Sequence, residues 1–191
     1  MSFNGATGAS HEFHQSQGDF DLYLKGNGID IGAGNDPLVI PSGSVRAWDR
    51  GDGDAMLMAG VPDCTYDFVY SSHCLEHMVD VRVSLFNWSR ILKSGGYLYT
   101  VVPDWELYEH EQWGSAFNAD HKHSFSLTKR VSGRTNHFIV PDDLSPMLTG
   151  LELVTCRLED HRYDYSRKDD KGYDQTTQGH LAQICIIYRK P

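Results

Sequence analysis

The sequence has no run of about 18 apolar residues, which is the length that a membrane-spanning helix requires. Its first residues also lack the basic start and the apolar segment of a secretory signal. These two absences argue against a membrane-anchored protein and against a secreted one. We therefore expect a soluble protein of the cytoplasm that does not bind a membrane.

Cysteines are few and scattered. The four of them, at positions 64, 74, 156 and 185, form no CxxC pair and no short regular spacing. This pattern excludes a disulfide framework and a zinc site built from cysteines. We expect the four thiols to serve as small buried apolar groups, and we expect no resident metal.

Positive charge is also scarce. Seventeen Lys and Arg residues stand against 26 Asp and Glu residues, and the formal net charge is −9. An acidic surface repels a phosphate backbone unless its basic residues cluster, and here they are dispersed. We therefore expect no long nucleic acid as a partner. The sequence does not indicate an oligomeric state.

What is present fits one compact domain. The chain has 191 residues, and 40% of them are hydrophobic. This is enough to bury a core without disulfide bonds or a structural metal. Residues 1–20 are polar and show little periodicity, so we predict a loose arm there and a single domain over residues 21–191. Within it, residues 104–126 form a polar and aromatic insertion on the substrate side. Residues 159–180 form a charged loop that is too long to be only a connection.

Short apolar segments alternate with turns and helical patterns. Strands are predicted at residues 28–31, 45–48, 66–70, 97–102, 151–158 and 181–188. A helix is predicted from Asp80 up to the glycine pair at residues 95–96, because its apolar residues recur on one face. This alternation is typical of an α/β protein with a mainly parallel sheet and with ligands at the carboxyl ends of its strands.

A glycine-rich turn follows the first predicted strand. Gly32 and Gly34 allow the backbone to turn sharply and to approach a ligand, and Asp30 can pair with the ammonium of an amino-acid moiety. A dinucleotide site needs G-x-G-x-x-G, but Pro37 stands at the position of the third glycine. Pro37 and Pro41 also leave room for barely one turn, so we predict an abbreviated first helix and no NAD site.

Two acidic residues follow the second predicted strand. Asp49 lies 19 positions after Asp30, where a carboxylate can accept both hydroxyls of a ribose. The alternative is an ordinary solvated turn aspartate. Asp54 and Ala55, with Met56, can bind the amino group of an adenine and pack against its ring.

Four sequence blocks, at residues 28–37, 48–49, 66–77 and 92–98, together resemble the class I S-adenosylmethionine-dependent methyltransferases, in particular small members of methyltransferase type 11. The resemblance implies a Rossmann-like α/β fold with a seven-stranded sheet in the order 3-2-1-4-5-7-6, whose last strand is antiparallel. It implies S-adenosylmethionine as the cofactor. The implied cofactor-binding residues are Asp30, Gly32, Ala33, Gly34, Asp49, Asp54, Ala55, Ser72, His73 and His77.

The implied reaction is methyl transfer to a small-molecule acceptor, and we expect a hydroxyl of a sugar or of another metabolite. His121 and His123 are the candidate catalytic residues, because a histidine near neutral pKa can take the proton of the acceptor. Asp104 and Asp120 with His121 are an alternative, as ligands of a divalent cation. The aromatic residues of the insertion either wall an acceptor pocket or pin the insertion to the protein body. They are Trp105, Tyr108, Trp113, Phe117 and Phe125.

Two other functions compete with this reading. His73, Glu76 and His77 fit H-x-x-E-H, in which two histidines on one helix bind zinc and the glutamate acts as a base. A zinc hydrolase of this kind needs a third acidic ligand, for which Glu152 is the candidate. The third possibility is a binding module that keeps the cofactor fold without catalysis.

Overall fold

The computed structural model describes residues 6–191, which form eight strands and three α-helices. In chain order the strands are β1 (Gly26–Ile31), β2 (Gly43–Trp48), β3 (Tyr66–Ser72), β4 (Leu92–Pro103), β5 (Ser124–Ser126), β6 (His137–Ile139), β7 (Glu152–Glu159) and β8 (Gln183–Arg189). The α-helices are α1 (Ala6–Ser16), α2 (Asp19–Tyr23) and α3 (Val81–Ile91). Short 3-10 helices occupy Leu75–His77, Ser145–Met147, Tyr165–Arg167 and Gln175–Gln178.

The main sheet has six strands in the order β2-β1-β3-β4-β8-β7, and β5 and β6 form a separate parallel pair. β1 to β4 run parallel, and β8 is antiparallel to both of its neighbours, as predicted for the last strand. The prediction of seven strands was wrong by one, because residues 6–191 contain no edge strand beyond β2. Residues 49–65 are too short for two parallel crossovers, each of which needs a dozen or more residues.

A turn-rich loop at residues 54–61 follows β2 in the chain, and side chains of α3 hold it. The indole N–H of Trp88 donates to the carbonyl oxygen of Ala55 at 2.8 Å. Arg90 donates to the carbonyl oxygens of Met58 and Val61 at 3.2 and 2.8 Å. Side chains of the helix thus satisfy backbone groups that a strand ladder would otherwise satisfy.

The abbreviated first helix is confirmed, since residues 32–42 between β1 and β2 contain no helix. The loose arm predicted over residues 1–20 was wrong for its described part, which forms α1 and the start of α2. Ser10 and His14 of α1 are fully buried, so tertiary contacts order a segment of weak periodicity. The first five residues of that predicted arm lie outside the described residues.

Successive side chains of the strands point to opposite faces and build two apolar layers. Ile29, Ile31 and Val69 pack on one face under α3, whereas Phe68 and Tyr70 pack on the other face with α2. Gly28 is required on the second face, because a Cβ atom there would lie 2.0 Å from the ring of Phe68. The sheet is therefore covered on both sides.

The helix predicted from Asp80 is present as α3, and the carboxylate of Asp80 accepts the N–H of Val83 at 3.0 Å. It ends at Ile91 instead of at the glycine pair, because β4 begins at Leu92 and pairs with Tyr66 of β3. None of the helices in the described part is long and apolar enough to cross a membrane.

Candidate active site

A cavity of about 640 Å³ opens at the carboxyl ends of β1, β2 and β3, which meet at one edge of the sheet. Its volume lies in the range of about 300–1,000 Å³ that is typical of small-molecule sites. The residues that line it are Gly32, Asp49, Arg50, Gly53, Asp54, Ala55, Met56, His73, Cys74, His77, Met78, Val79, Asp120 and Lys122. The topology thus brings together residues that are far apart in sequence.

Six of the ten residues predicted to bind the cofactor line this cavity. They are Gly32, Asp49, Asp54, Ala55, His73 and His77. The other four do not line it, because three of them are buried and Gly34 is exposed in the turn after β1 without facing the cavity. They are Asp30, Ala33, Gly34 and Ser72.

Gly32 fixes the turn that forms the floor of the cavity. Its φ is +83°, a conformation that L side chains rarely adopt, and a Cβ atom would lie 2.6 Å from Sγ of Cys74. Its N–H donates to the carbonyl oxygen of Trp48 at 2.9 Å. The turn after β1 is therefore pinned to the end of β2, and only glycine fits at this position.

The two acidic residues after β2 differ in their partners. Asp49 is exposed, and its Oδ1 accepts the N–H of Arg50 at 2.7 Å, which holds the carboxylate at the rim of the cavity. Oδ1 of Asp54 accepts the N–H of Met56 at 2.8 Å and orders the turn in which Ala55 and Met56 face the cavity. This places a carboxylate and a small apolar surface side by side.

Asp30 does not line the cavity but supports the turn from below. Its Oδ2 accepts the N–H of Leu38 at 2.8 Å, and the residue is only 2% exposed. Burial raises the pKa of Asp30 to about 7, and the N–H of Leu38 opposes this rise. The nearby charges of Asp36 and Asp49 add to the increase. This carboxyl organises a loop that has no helix to order it.

His73 stands at the end of β3 with a left-handed φ of 52°, a conformation that concentrates at functional sites. Its Nε2 lies 2.9 Å from Oε1 of Gln183, which is the first residue of β8. Burial lowers the pKa of His73 to about 4, so the ring is neutral near pH 7. The ring is thus held by a neighbouring strand and lines the cavity in its uncharged form.

The histidine pair of the H-x-x-E-H pattern does not lie on one helix. His73 precedes the 3-10 helix Leu75–His77, in which a full α-helical turn is absent. Glu152 pairs with Arg189 at the start of β7, whereas Glu159 at its other end pairs with Gln183 beside His73. The zinc hydrolase built on Glu152 is therefore wrong, because its third ligand lies at the opposite end of the strand.

The sequence matches the methyltransferase-domain family over residues 14–130, which is more than half of the chain. The protein is a member of that family. S-adenosylmethionine is the methyl donor of methyltransferases with this fold. The chain is accordingly an S-adenosylmethionine-dependent methyltransferase, and the resemblance inferred from the four sequence blocks is confirmed.

Solved structures share the fold at low sequence identity. A methyltransferase of Archaeoglobus fulgidus has a TM-score of 0.59 at 14% identity, with 98% of this chain and 96% of that chain covered. One from Thermotoga maritima has a TM-score of 0.57 at 19% identity, with 95% and 91% covered. A chain from the complex of the Haloferax volcanii Trm112 methyltransferase activator with a methyltransferase gives 0.59 at 14%, with 95% and 91% covered. No curated protein matches the sequence.

The two histidines predicted to be catalytic in the methyltransferase do not line the cavity. In the segment Asp120-His121-Lys122-His123, the first and third residues face the cavity, while His121 and His123 lie behind its wall. The ring of His121 packs against His77, with 4.8 Å between the ring centroids. An acceptor in the cavity therefore meets Asp120 and Lys122 before it meets either histidine.

Sequence reasoning missed three residues of the cavity wall, which are Arg50, Asp120 and Lys122. Arg50 and Asp120 face each other across the rim, with Nη2 of Arg50 3.8 Å from Oδ2 of Asp120. The backbone N–H of Lys122 donates to the carbonyl oxygen of Glu76 at 2.8 Å, which docks the insertion against the 3-10 helix that follows β3. Asp120 lies in a turn, and no sequence signal singled out Asp120 and Lys122 from the histidines beside them.

Two of the five aromatic residues of the insertion are buried against the body of the methyltransferase, whereas Trp113 is 42% exposed. Trp105 and Phe125 are 4% and 0% exposed, and Tyr108 packs against Phe117 with 5.6 Å between ring centroids. None of the five aromatic candidates lines the cavity. Asp104 does not join Asp120 and His121 as a ligand set, because its carboxylate accepts the N–H groups of residues 106 and 107.

Proposed function

We propose that this methyltransferase transfers a methyl group from S-adenosylmethionine to a hydroxyl of a small molecule, such as a sugar or another metabolite. The observation that carries the proposal is the cavity at the strand ends, which joins the glycine turn and the two acidic residues after β2 to a polar wall from the insertion. Ligands of open α/β sheets bind at this edge.

The wall formed by β1, β2 and the loop after β2 fits the cofactor in three places. The exposed carboxylate of Asp49 can accept the two hydroxyls of a ribose. Asp54 can accept the amino group of an adenine, while Ala55 and Met56 pack against its ring. Gly32 has no side chain in the way of a ligand that lies across the turn. The methyl-bearing end then lies near His73 and His77, toward the acceptor side.

The acceptor side is polar and carries both signs of charge. Arg50 and Lys122 contribute positive charge and Asp120 contributes negative charge around the mouth. Such a set can hydrogen-bond a hydroxyl-rich molecule without attracting a polyanion. These features support a small polar acceptor over long nucleic acid.

The chemistry asks mainly for alignment. S-adenosylmethionine supplies an activated methyl group, because its sulfonium is a strong leaving group. The cavity walls place the acceptor oxygen in line with that methyl and restrict water. As the oxygen–carbon bond forms, the carbon–sulfur bond breaks with its electron pair left on sulfur, and the hydroxyl proton passes to a base or to water at the mouth.

Calorimetric titration with S-adenosylmethionine and S-adenosylhomocysteine tests the cofactor site. We expect micromolar binding by the wild-type chain and a loss of at least about tenfold in Asp49→Ala, since a charge-assisted hydrogen bond contributes about 1.5–3 kcal/mol. Asp142→Ala is the matched control, because Asp142 is exposed and does not line the cavity. Because Asp49 is exposed, both variants should unfold at the wild-type temperature.

Absence of binding to the wild-type chain, or an equal loss in both variants, would contradict this placement of the cofactor. Hydroxyl-bearing acceptors are then screened by the release of S-adenosylhomocysteine. Cofactor binding without turnover on any acceptor would favour the binding module over the enzyme proposed.

A further inference from the structure

Three side chains that can each bind a metal ion meet at the acceptor end of the cavity. The ligand atoms of Glu76, His77 and His121 all lie within 4.8 Å of one another. Oε1 of Glu76 is 3.8 Å from Nε2 of His77 and 3.9 Å from Nε2 of His121. Ligands of one zinc ion, at bonds of about 2.0–2.2 Å, stand about 3.0–3.5 Å apart. Small side-chain movements therefore suffice to enclose an ion.

The carboxylate of Glu76 faces histidine rings at ion-pair distance but accepts no hydrogen bond from them. The residue is 1% exposed, and neither carboxylate oxygen accepts a hydrogen bond from another residue in the described part of the chain. A buried carboxylate that accepts no hydrogen bond is strongly unfavourable in its ionised form. A cation between Glu76 and the rings of His77 and His121 would balance the negative charge of the buried carboxylate.

Both histidines are already oriented for coordination. Nδ1 of His121 lies 2.6 Å from Oε1 of Glu109, and Nδ1 of His77 lies 3.1 Å from Oδ2 of Asp120. Each carboxylate holds one ring nitrogen and leaves Nε2 directed toward Glu76. Metal-binding histidines have this arrangement, in which a carboxylate fixes the tautomer and the ring orientation.

The cluster borders the cavity through His77. Glu76 and His121 are buried, whereas the side chain of His77 is 24% exposed and lines the cavity. Three protein ligands leave at least one coordination position free, which is the arrangement of catalytic rather than structural sites. Two imidazoles and one carboxylate are a set that suits Zn²⁺ and Fe²⁺.

We propose that Glu76, His77 and His121 bind one divalent transition-metal ion, whose free positions face the acceptor end of the cavity. This proposal departs from the expectation of no resident metal. It also differs from the H-x-x-E-H zinc site, because Nε2 of His73 faces Gln183 and His121 takes its place as a ligand.

The site also narrows the class of acceptor, and this part rests on the proposed function. A hydroxyl with a second oxygen next to it, as in a diol or a hydroxy acid, can chelate the ion through both oxygens. The ion favours ionisation of that hydroxyl, and the proton passes to water at the cavity mouth. Transfer then forms the oxygen–carbon bond and breaks the carbon–sulfur bond, with its electron pair left on sulfur.

The full-length chain, stripped of metal by a chelator and then freed of the chelator, is titrated with ZnCl₂ by calorimetry in the absence of S-adenosylmethionine. We expect one site and a rise in the unfolding temperature of the wild-type protein. Glu76→Gln and His121→Asn should each weaken binding at least about 100-fold and abolish that rise. Glu152→Gln should bind Zn²⁺ like the wild type, because this exposed glutamate lies at the far end of β7.

Circular dichroism checks that the variants fold, and Glu76→Gln removes only a charge. The proposal is overturned by a wild-type chain that binds no Zn²⁺, or by binding that survives both Glu76→Gln and His121→Asn. Failure of Zn²⁺ binding with intact S-adenosylmethionine binding removes the metal and leaves the proposed function standing. Zn²⁺ binding without S-adenosylmethionine binding would support the metal site and contradict the proposed methyl transfer.

Discussion

The buried carboxyl of Asp30 gives the fold a pH dependence that a single substitution should remove. Its pKa is 3.8 in an ordinary setting and about 7 in the folded protein, where burial is the largest cause. The folded chain therefore holds a proton that the unfolded chain has released. Stability from this group is fully present below the unfolded pKa and is lost as the pH rises through about 7.

The size of the effect follows from the shift. Each pKa unit corresponds to about 1.36 kcal/mol, so an ionised Asp30 costs the folded state about 4 kcal/mol relative to its neutral form. In Asp30→Asn the amide oxygen still accepts the N–H of Leu38, and the side chain never ionises. We expect the stability advantage of the variant over the wild type to grow by about 1.4 kcal/mol between roughly pH 6 and pH 8.

Urea unfolding of both proteins at these two pH values, without cofactor, measures that difference. Other titrating groups cancel, because they are common to the two chains. A difference in unfolding free energy that is the same at both pH values would refute the reasoning, since it would mean that Asp30 ionises equally in both states. If the stability advantage of Asp30→Asn over the wild type became smaller as the pH rose, the pKa of Asp30 would be shifted in the opposite direction and the prediction would be wrong.

Two further substitutions test the ends of the strands. Gly32→Ala should destabilise the protein by about 1–3 kcal/mol more than Gly60→Ala in thermal unfolding, because both glycines have a positive φ but only the first faces a clash with Cys74. An equal loss of stability in the two variants would mean that the positive φ alone, and not a clash with Cys74, causes the destabilisation. Glu159→Gln should cost about 3 kcal/mol in urea unfolding and speed amide exchange in α1, because Oε2 of Glu159 pairs with buried His14 at 2.7 Å. Unchanged exchange in α1 would contradict that role.

Local sequence signals predicted those parts of the fold that depend on neighbouring residues. Asp80 begins α3 because its carboxylate caps the helix, and the apolar spacing after it places Leu85 and Trp88 in the core. The closing strands at residues 151–158 and 181–188 are found within two residues as β7 and β8. The proline pair at positions 37 and 41 correctly predicted that no helix follows β1.

Features that depend on distant partners escaped prediction. α1 has little amphipathic pattern, yet His14 is buried in it because Glu159, 145 positions away, supplies its partner. The end of α3 was misplaced because pairing of Leu92 with Tyr66 decides it, and not the glycine pair. For the site, the composition of residues 120–123 marked a polar segment, but only docking onto Glu76 decided which side chains face the cavity.

The sequence by itself determined the α/β class, because turns, caps and strand ends depend on neighbouring residues. Its resemblance to a methyltransferase family supplied the methyl donor and completed the set of six predicted residues that line the cavity. Tertiary structure alone decided the loss of the edge strand, the burial of α1 and the meeting of Glu76 with His121. The physical reason is that burial and pairing depend on contacts across the sheet edge, and these have no counterpart in local spacing.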